Sequence, residues 1–123
     1  MKMIAAAAVA MMAFTTGSAM AADGDAVAGA KVFKAQCTAC HTIIEHKKLI
    51  GPSLFGVFGR KAGQEDFHYS DSNKNSGLTW DAATLDKYLT SPKTVVPGTL
   101  MTYAGLKNDT QRADLIAYLA TVK

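Results

Sequence analysis

Only two cysteines occur in 123 residues, and they stand three apart, at Cys37 and Cys40. Structural zinc closes four ligands, from two CxxC pairs or from one CxxC with a spaced histidine pair. No second CxxC exists and His41, His46 and His68 lack that spacing, so zinc does not account for the thiols. No βαβ pattern surrounds them, which removes a thioredoxin-like dithiol. A large excess of one charge is also missing. Thirteen Lys and Arg face ten Asp and Glu, too even a balance for nucleic acid. The longest apolar run, Met3 to Phe14, is well short of the roughly twenty residues of a membrane span. No stretch alternates long enough for a strand, and no repeat or linker marks a second domain.

What is present begins with a leader. Lys2, the apolar run and Ala19-Met20-Ala21 make a secretory signal over residues 1–21. Cleavage after Ala21 leaves Ala22 to Lys123, one domain of 102 residues that is expected in the periplasm, with no membrane insertion. Met1, Met3, Met11, Met12 and Met20 leave with the leader, so Met101 is the one methionine of the mature chain. Without Lys2 the charge is twelve basic against ten acidic, or +2.

The periodicity predicts an all-α fold. Residues 25–36 put Ala26, Gly29/Ala30, Phe33 and Cys37 on one helical face, with Asp25 as cap. Residues 71–77 carry at most a short helical turn. Thr79 is expected to cap a helix over Trp80 to Thr90 that buries Leu85, Tyr88 and Leu89, and Pro92 to end it. Around Pro92, Pro97 and Gly98, "SPKTVVPGTLM" predicts a stiff extended loop. A last helix runs from Asn108 or Asp109 to about Thr121, with Leu115, Tyr118/Leu119 and Val122 as its stripe.

Helices this short, with half the chain in loops, bury too little to hold a domain, so something else must supply core. A disulfide between cysteines three apart closes a tiny loop and constrains little. Cys37-Thr-Ala-Cys40-His41 is instead the C-x-x-C-H signature of covalent haem. Two thiols bond the ring edge, the histidine reaches the iron, and the apolar disc becomes the missing core. His46, His68, the lysines and Met101 are candidates for the second iron face. His46 and His68 sit in polar surroundings and read as solvated loop histidines; Met101 ends the stiff loop.

Several ordered motifs then resemble one family. Gly24-Asp25 with Gly29 and Phe33, "CTACHT", "GPSLFGVFGRKAGQ", "FHYSDSNKNSGLTW", "YLTSPKTVVPGTLMTYAG" and "RADLIAYL" span Gly24 to about Val122. The pattern resembles the soluble class I cytochromes c, mitochondrial and bacterial. That resemblance implies short helices and long loops wrapped around one haem c. It implies thioethers at Cys37 and Cys40 and axial ligands at His41 and Met101, with the Pro52 carbonyl accepting from the His41 ring. Tyr69 and Trp80, with Arg60 nearby, would bond the inner propionate, and Asn73 and Tyr88 would lie on the methionine side. Gly29 and Phe33 would meet Leu115 and Tyr118.

Departures accompany the match. Ser53 stands where asparagine is usual, the segment between His41 and Pro52 is short, and Tyr103 replaces a phenylalanine. Lys31, Lys93 and Lys107 keep lysines of the docking ring, whereas Gln36, Thr94, Leu100 and Asn108 take other lysine positions. The function so implied is a monomeric one-electron carrier, not an enzyme. Its expected partners are a cytochrome bc-type reductase, a terminal oxidase, a reaction centre or a periplasmic dehydrogenase. The competing reading is a peroxidase-like haem enzyme with a displaceable methionine.

Overall fold

A computed structural model describes residues 24–123. The expected leader, 1–21, lies outside the described residues. Five helices follow in order: α1 Ala26–Gln36, α2 Asp71–Lys74, α3 Ala82–Thr90, α4 Pro92–Val95 and α5 Asp109–Thr121. No strand forms among the described residues beyond an isolated bridge between Lys61 and Thr79. None of these helices is long and apolar enough to cross a membrane.

Caps set the boundaries. Asp25 accepts from Val27 N and Ala28 N at the start of α1, and Asn108 accepts from Gln111 N at the start of α5. Asp25 N also donates to Asp114 Oδ1 at 2.8 Å, so the start of α1 is tied to the middle of α5. Gly29 makes this crossing close. A Cβ there would come within 1.9 Å of Asp114 O, inside any allowed contact. Beside it, Phe33 and Tyr118 pack with ring centroids 5.5 Å apart, and Leu115, Ile116 and Leu119 of α5 are buried. The expected meeting of Gly29 and Phe33 with Leu115 and Tyr118 describes this interface.

Two boundaries differ from expectation. Asp81, not Thr79, caps α3, accepting from Thr84 N at 2.8 Å, and the helix begins at Ala82 rather than Trp80. The reason is tertiary: Trp80 N already donates to Arg60 O at 2.8 Å, and Gly59 N to Trp80 O at 2.9 Å. Those pairings hold Trp80 extended until one residue before the first free turn. Pro92 ends α3 as expected but then opens α4, where the loop was expected to be extended. A proline at the first helical position gives up an amide that has no partner there anyway, and Val96 N closes the turn onto Pro92 O at 2.9 Å.

One buried charge joins α5 to α3. Arg112 donates to Asp86 at 2.6 Å, to Asp109 at 2.7 Å and to the Leu106 carbonyl at 2.9 Å. Arg112 lies one turn before Leu115 of the apolar stripe, and each of its three guanidinium nitrogens has a partner.

The Gly29 contact gives a first expected result. Gly29→Ala must push α1 from α5, and overpacking of this kind costs about 1–3 kcal/mol. For a domain this size about 1 kcal/mol moves Tm by roughly 4–8 °C. Thermal melting followed by circular dichroism checks it; an unchanged Tm would mean that α1 and α5 do not cross this closely.

Candidate functional site

Between the crossed helices and the loops lies a cavity of about 440 Å³. Its lining is mainly apolar, with Leu54, Val57, Leu85, Leu89, Leu115 and Leu119 as its aliphatic wall. All ten residues singled out from the sequence line it: Cys37, Cys40, His41, Pro52, Arg60, Tyr69, Asn73, Trp80, Tyr88 and Met101. Residues from Cys37 to Met101 along the chain therefore meet around one space.

The cysteines sit where α1 ends. Cys37 N closes the last turn onto Phe33 O at 2.9 Å, and Cys40 N and His41 N both return to Cys37 O, at 3.1 and 2.9 Å. This tight turn brings both thiols and the imidazole to the same wall. The thiols are not bonded to each other. Burial, with Cys40 beside it, pushes the Cys37 thiol up to about 11, so it stays neutral.

His41 is fixed from two directions. Its Nδ1 lies 2.7 Å from the Pro52 carbonyl. Since a carbonyl only accepts, Nδ1 carries the proton and Nε2 is left as a bare lone pair. On its other side the ring presses on Gly51, where a Cβ would come within 2.4 Å of Cε1. Burial lowers the pKa of His41 against the opposing effect of the Pro52 bond. The imidazole is thus neutral and oriented, as a metal ligand requires.

Met101 enters from the loop after α4. Tyr88, buried on α3, donates from its hydroxyl to Met101 Sδ at 3.2 Å, and Met101 N donates to Thr99 Oγ1 at 3.2 Å. Burial raises the Tyr88 pKa, so the phenol remains a donor. The Trp80 ring packs on Tyr88 with centroids 4.6 Å apart.

Polar groups gather on another part of the wall. Arg60 donates to the carbonyls of Phe55 and Ser53 at 2.9 and 3.2 Å and to Glu65 Oε1 at 3.1 Å. Tyr69 accepts from Glu65 N at 3.2 Å, which leaves its own hydroxyl hydrogen free. Asn73 Oδ1 is buried and has no partner among the described residues. His46 stands apart, with its side chain 78 % exposed and 3.5 Å from Glu65 Oε2, and His68 is exposed as well.

Sequence reasoning missed Gly51, Glu65 and Thr99. Gly51 could have been suspected, since a glycine before Pro52, whose carbonyl the resemblance pairs with the His41 ring, marks a close approach. Nothing in the spacing pointed to Glu65 or Thr99. It also missed that Tyr103 donates to Gln36 Oε1 at 3.0 Å, across 67 positions of sequence.

These residues fit haem. Two free thiols, an oriented imidazole, a thioether and an unpartnered amide oxygen surround one largely apolar space between the helices and loops. The fold and site define a small all-α protein with one largely apolar cavity fit for a prosthetic group. The comparisons with known proteins agree. The family model for cytochrome c matches residues 26–123. A cytochrome c2 of Rhodomicrobium vannielii is 54% identical over 123 residues, covering 98% of this chain and 97% of that protein. A cytochrome c of Theileria annulata is 53% identical over 98 residues, 79% of this chain and 85% of that one. The solved structure of cytochrome cH from Methylobacterium extorquens superposes with a TM-score of 0.75 at 48% identity, covering 80% of this chain and 99% of that chain. The chain belongs to the cytochrome c family and has the class I fold. It is a haem-binding electron carrier, and its cofactor is covalently bound haem c.

Proposed function

We propose that this chain is an exported one-electron carrier of the periplasm, with thioethers at Cys37 and Cys40 and with His41 and Met101 as axial ligands. The observation that carries the reading is the shared cavity: the imidazole and the thioether both reach it, each aimed by its own hydrogen bond. Bound haem supplies an iron that exchanges one electron between ferrous and ferric states.

The chain's own residues do the rest. Pro52 holds the His41 ring so that Nε2 keeps its lone pair for the metal. Tyr88 and Thr99 hold the Met101 segment, and a thioether favours the ferrous state. The aliphatic wall disfavours the extra positive charge of the ferric state, which acts in the same direction. Tyr69, Trp80 and Arg60 would bond a propionate of the haem in this reading. What supports it is that all three line the cavity and that the Tyr69 hydroxyl hydrogen is uncommitted. Asn73 shares the methionine side with Tyr88.

With His41 and Met101 both holding the iron, no position would remain on it for a substrate. Residues 1–21 act as a cleaved leader and 22–123 as one monomeric domain. The partners are redox proteins of the class named above: a bc-type reductase, an oxidase, a reaction centre or a dehydrogenase.

Carbon monoxide tests the function. The reduced native protein is expected to keep its absorption spectrum under CO and to turn over no peroxide. A CO-shifted spectrum with peroxide turnover would replace the carrier by a peroxidase-like enzyme whose methionine leaves.

A further inference from the structure

The segment after Met101 has few hydrogen bonds, although Gly105 packs closely on the Thr90 carbonyl. Thr102 to Gly105 have no regular structure, and among the described residues they make one hydrogen bond to the rest of the molecule. That bond is Tyr103 Oη to Gln36 Oε1, at 3.0 Å. On either side the chain is anchored: Met101 by Tyr88 and Thr99, Leu106 by its amide to Leu89 O at 2.7 Å.

The position of this bond matters. Gln36 is the last residue of α1 and adjoins Cys37; Tyr103 lies two residues past Met101. Both line the cavity, so the bond joins the methionine-bearing loop to the cysteine-bearing turn across its rim. The Tyr103 ring is partly buried and packs against the core, whereas Gln36 and neighbouring Leu100 are exposed, Leu100 at 58 %. A side-chain bond is therefore the tether of a loop that has no backbone ladder of its own.

We propose that Tyr103 and Gln36 form a latch that holds the Met101 loop closed, and that they set how readily a small ligand displaces Met101. The inference rests on the reading that Met101 closes the metal site. Tyr103 and Gln36 are positioning residues: their hydrogen bond is to each other, not to His41 or Met101, and they act through the loop. A hydrogen bond between partly exposed neutral groups contributes about 0.5–1.5 kcal/mol, so losing it should favour opening by roughly two- to tenfold.

The test titrates the ferric holoprotein with imidazole and follows the absorption spectrum. Tyr103→Phe keeps the ring and removes the donor; Gln36→Leu removes the acceptor from the other segment. Each is expected to bind imidazole about fivefold more tightly than wild type. The double variant should gain no more than either single, because both remove the same bond. Gln36→Glu, which still accepts, should stay near wild type. Singles without effect, or effects that multiply in the double variant, would overturn the latch.

A second readout separates the latch from the reading beneath it. Backbone order parameters from ¹⁵N relaxation at residues 102–105 should fall in both single variants. If Met101→Ala binds imidazole no better than wild type, Met101 is not the ligand and that reading fails. The order parameters then decide on the latch alone, and unchanged values would remove it.

Discussion

Replacing both Cys37 and Cys40 with alanine leaves a chain that does not hold its helical fold, and each single replacement sharply lowers the yield of holoprotein. Magnitudes support so large an effect. Burying an aliphatic side chain contributes about 1.5–3 kcal/mol. Leu54, Val57, Leu85, Leu89, Leu115 and Leu119 all face the cavity. If each loses about half of that contribution, the deficit is roughly 5–9 kcal/mol. A domain of this size has a net stability of only about 5–15 kcal/mol. Far-ultraviolet circular dichroism and haem absorbance of the purified variants check the result. A double variant that accumulated as folded, haem-free helical protein would show that the polypeptide core suffices alone.

Met101→Ala has the second large effect. Without the thioether the reduction potential falls, on the order of 0.1 V or more within the roughly 0.8 V that axial ligands span. The reduced variant binds CO, and peroxide turnover rises. The fold should survive, because the loop keeps the Thr99 and Leu106 anchors and α3 and α5 are untouched. Potentiometry and CO difference spectra measure this. An unchanged potential and spectrum would take Met101 out of the ligand set and move attention to a histidine or a lysine.

Much of this molecule is legible in the sequence because it is local. Asp25 and Asn108 cap helices within three residues of themselves, and the turn from Cys37 to His41 is closed by its own backbone. The shortage of apolar helix pointed to a prosthetic group, and the family has one in haem c. What was not legible depends on partners far along the chain. The start of α3 slipped from Trp80 to Ala82 because residues 59–60 claim the Trp80 backbone, a pairing no propensity encodes. Arg112 is buried one turn before the apolar stripe of Leu115, Tyr118/Leu119 and Val122, and Asp86, Asp109 and the Leu106 carbonyl make it tolerable there. Gln36 read as a missing lysine and Tyr103 as an altered phenylalanine; that the two bond each other needs the fold.

The Glu65 side chain illustrates the same limit at the site. It neutralises Arg60, lies beside His46, and its backbone amide occupies the Tyr69 oxygen. From the sequence it was one acidic residue in a loop. Its position tempers the charge that Arg60 brings to the cavity wall, although Arg60 keeps two carbonyls besides.

The most direct test of the account is X-ray absorption at the iron edge of the native protein, in both oxidation states. The account predicts a shell of ring and imidazole nitrogens with one thioether sulfur, present in ferrous and ferric protein alike and lost in Met101→Ala. A nitrogen-only shell in the native protein would contradict it.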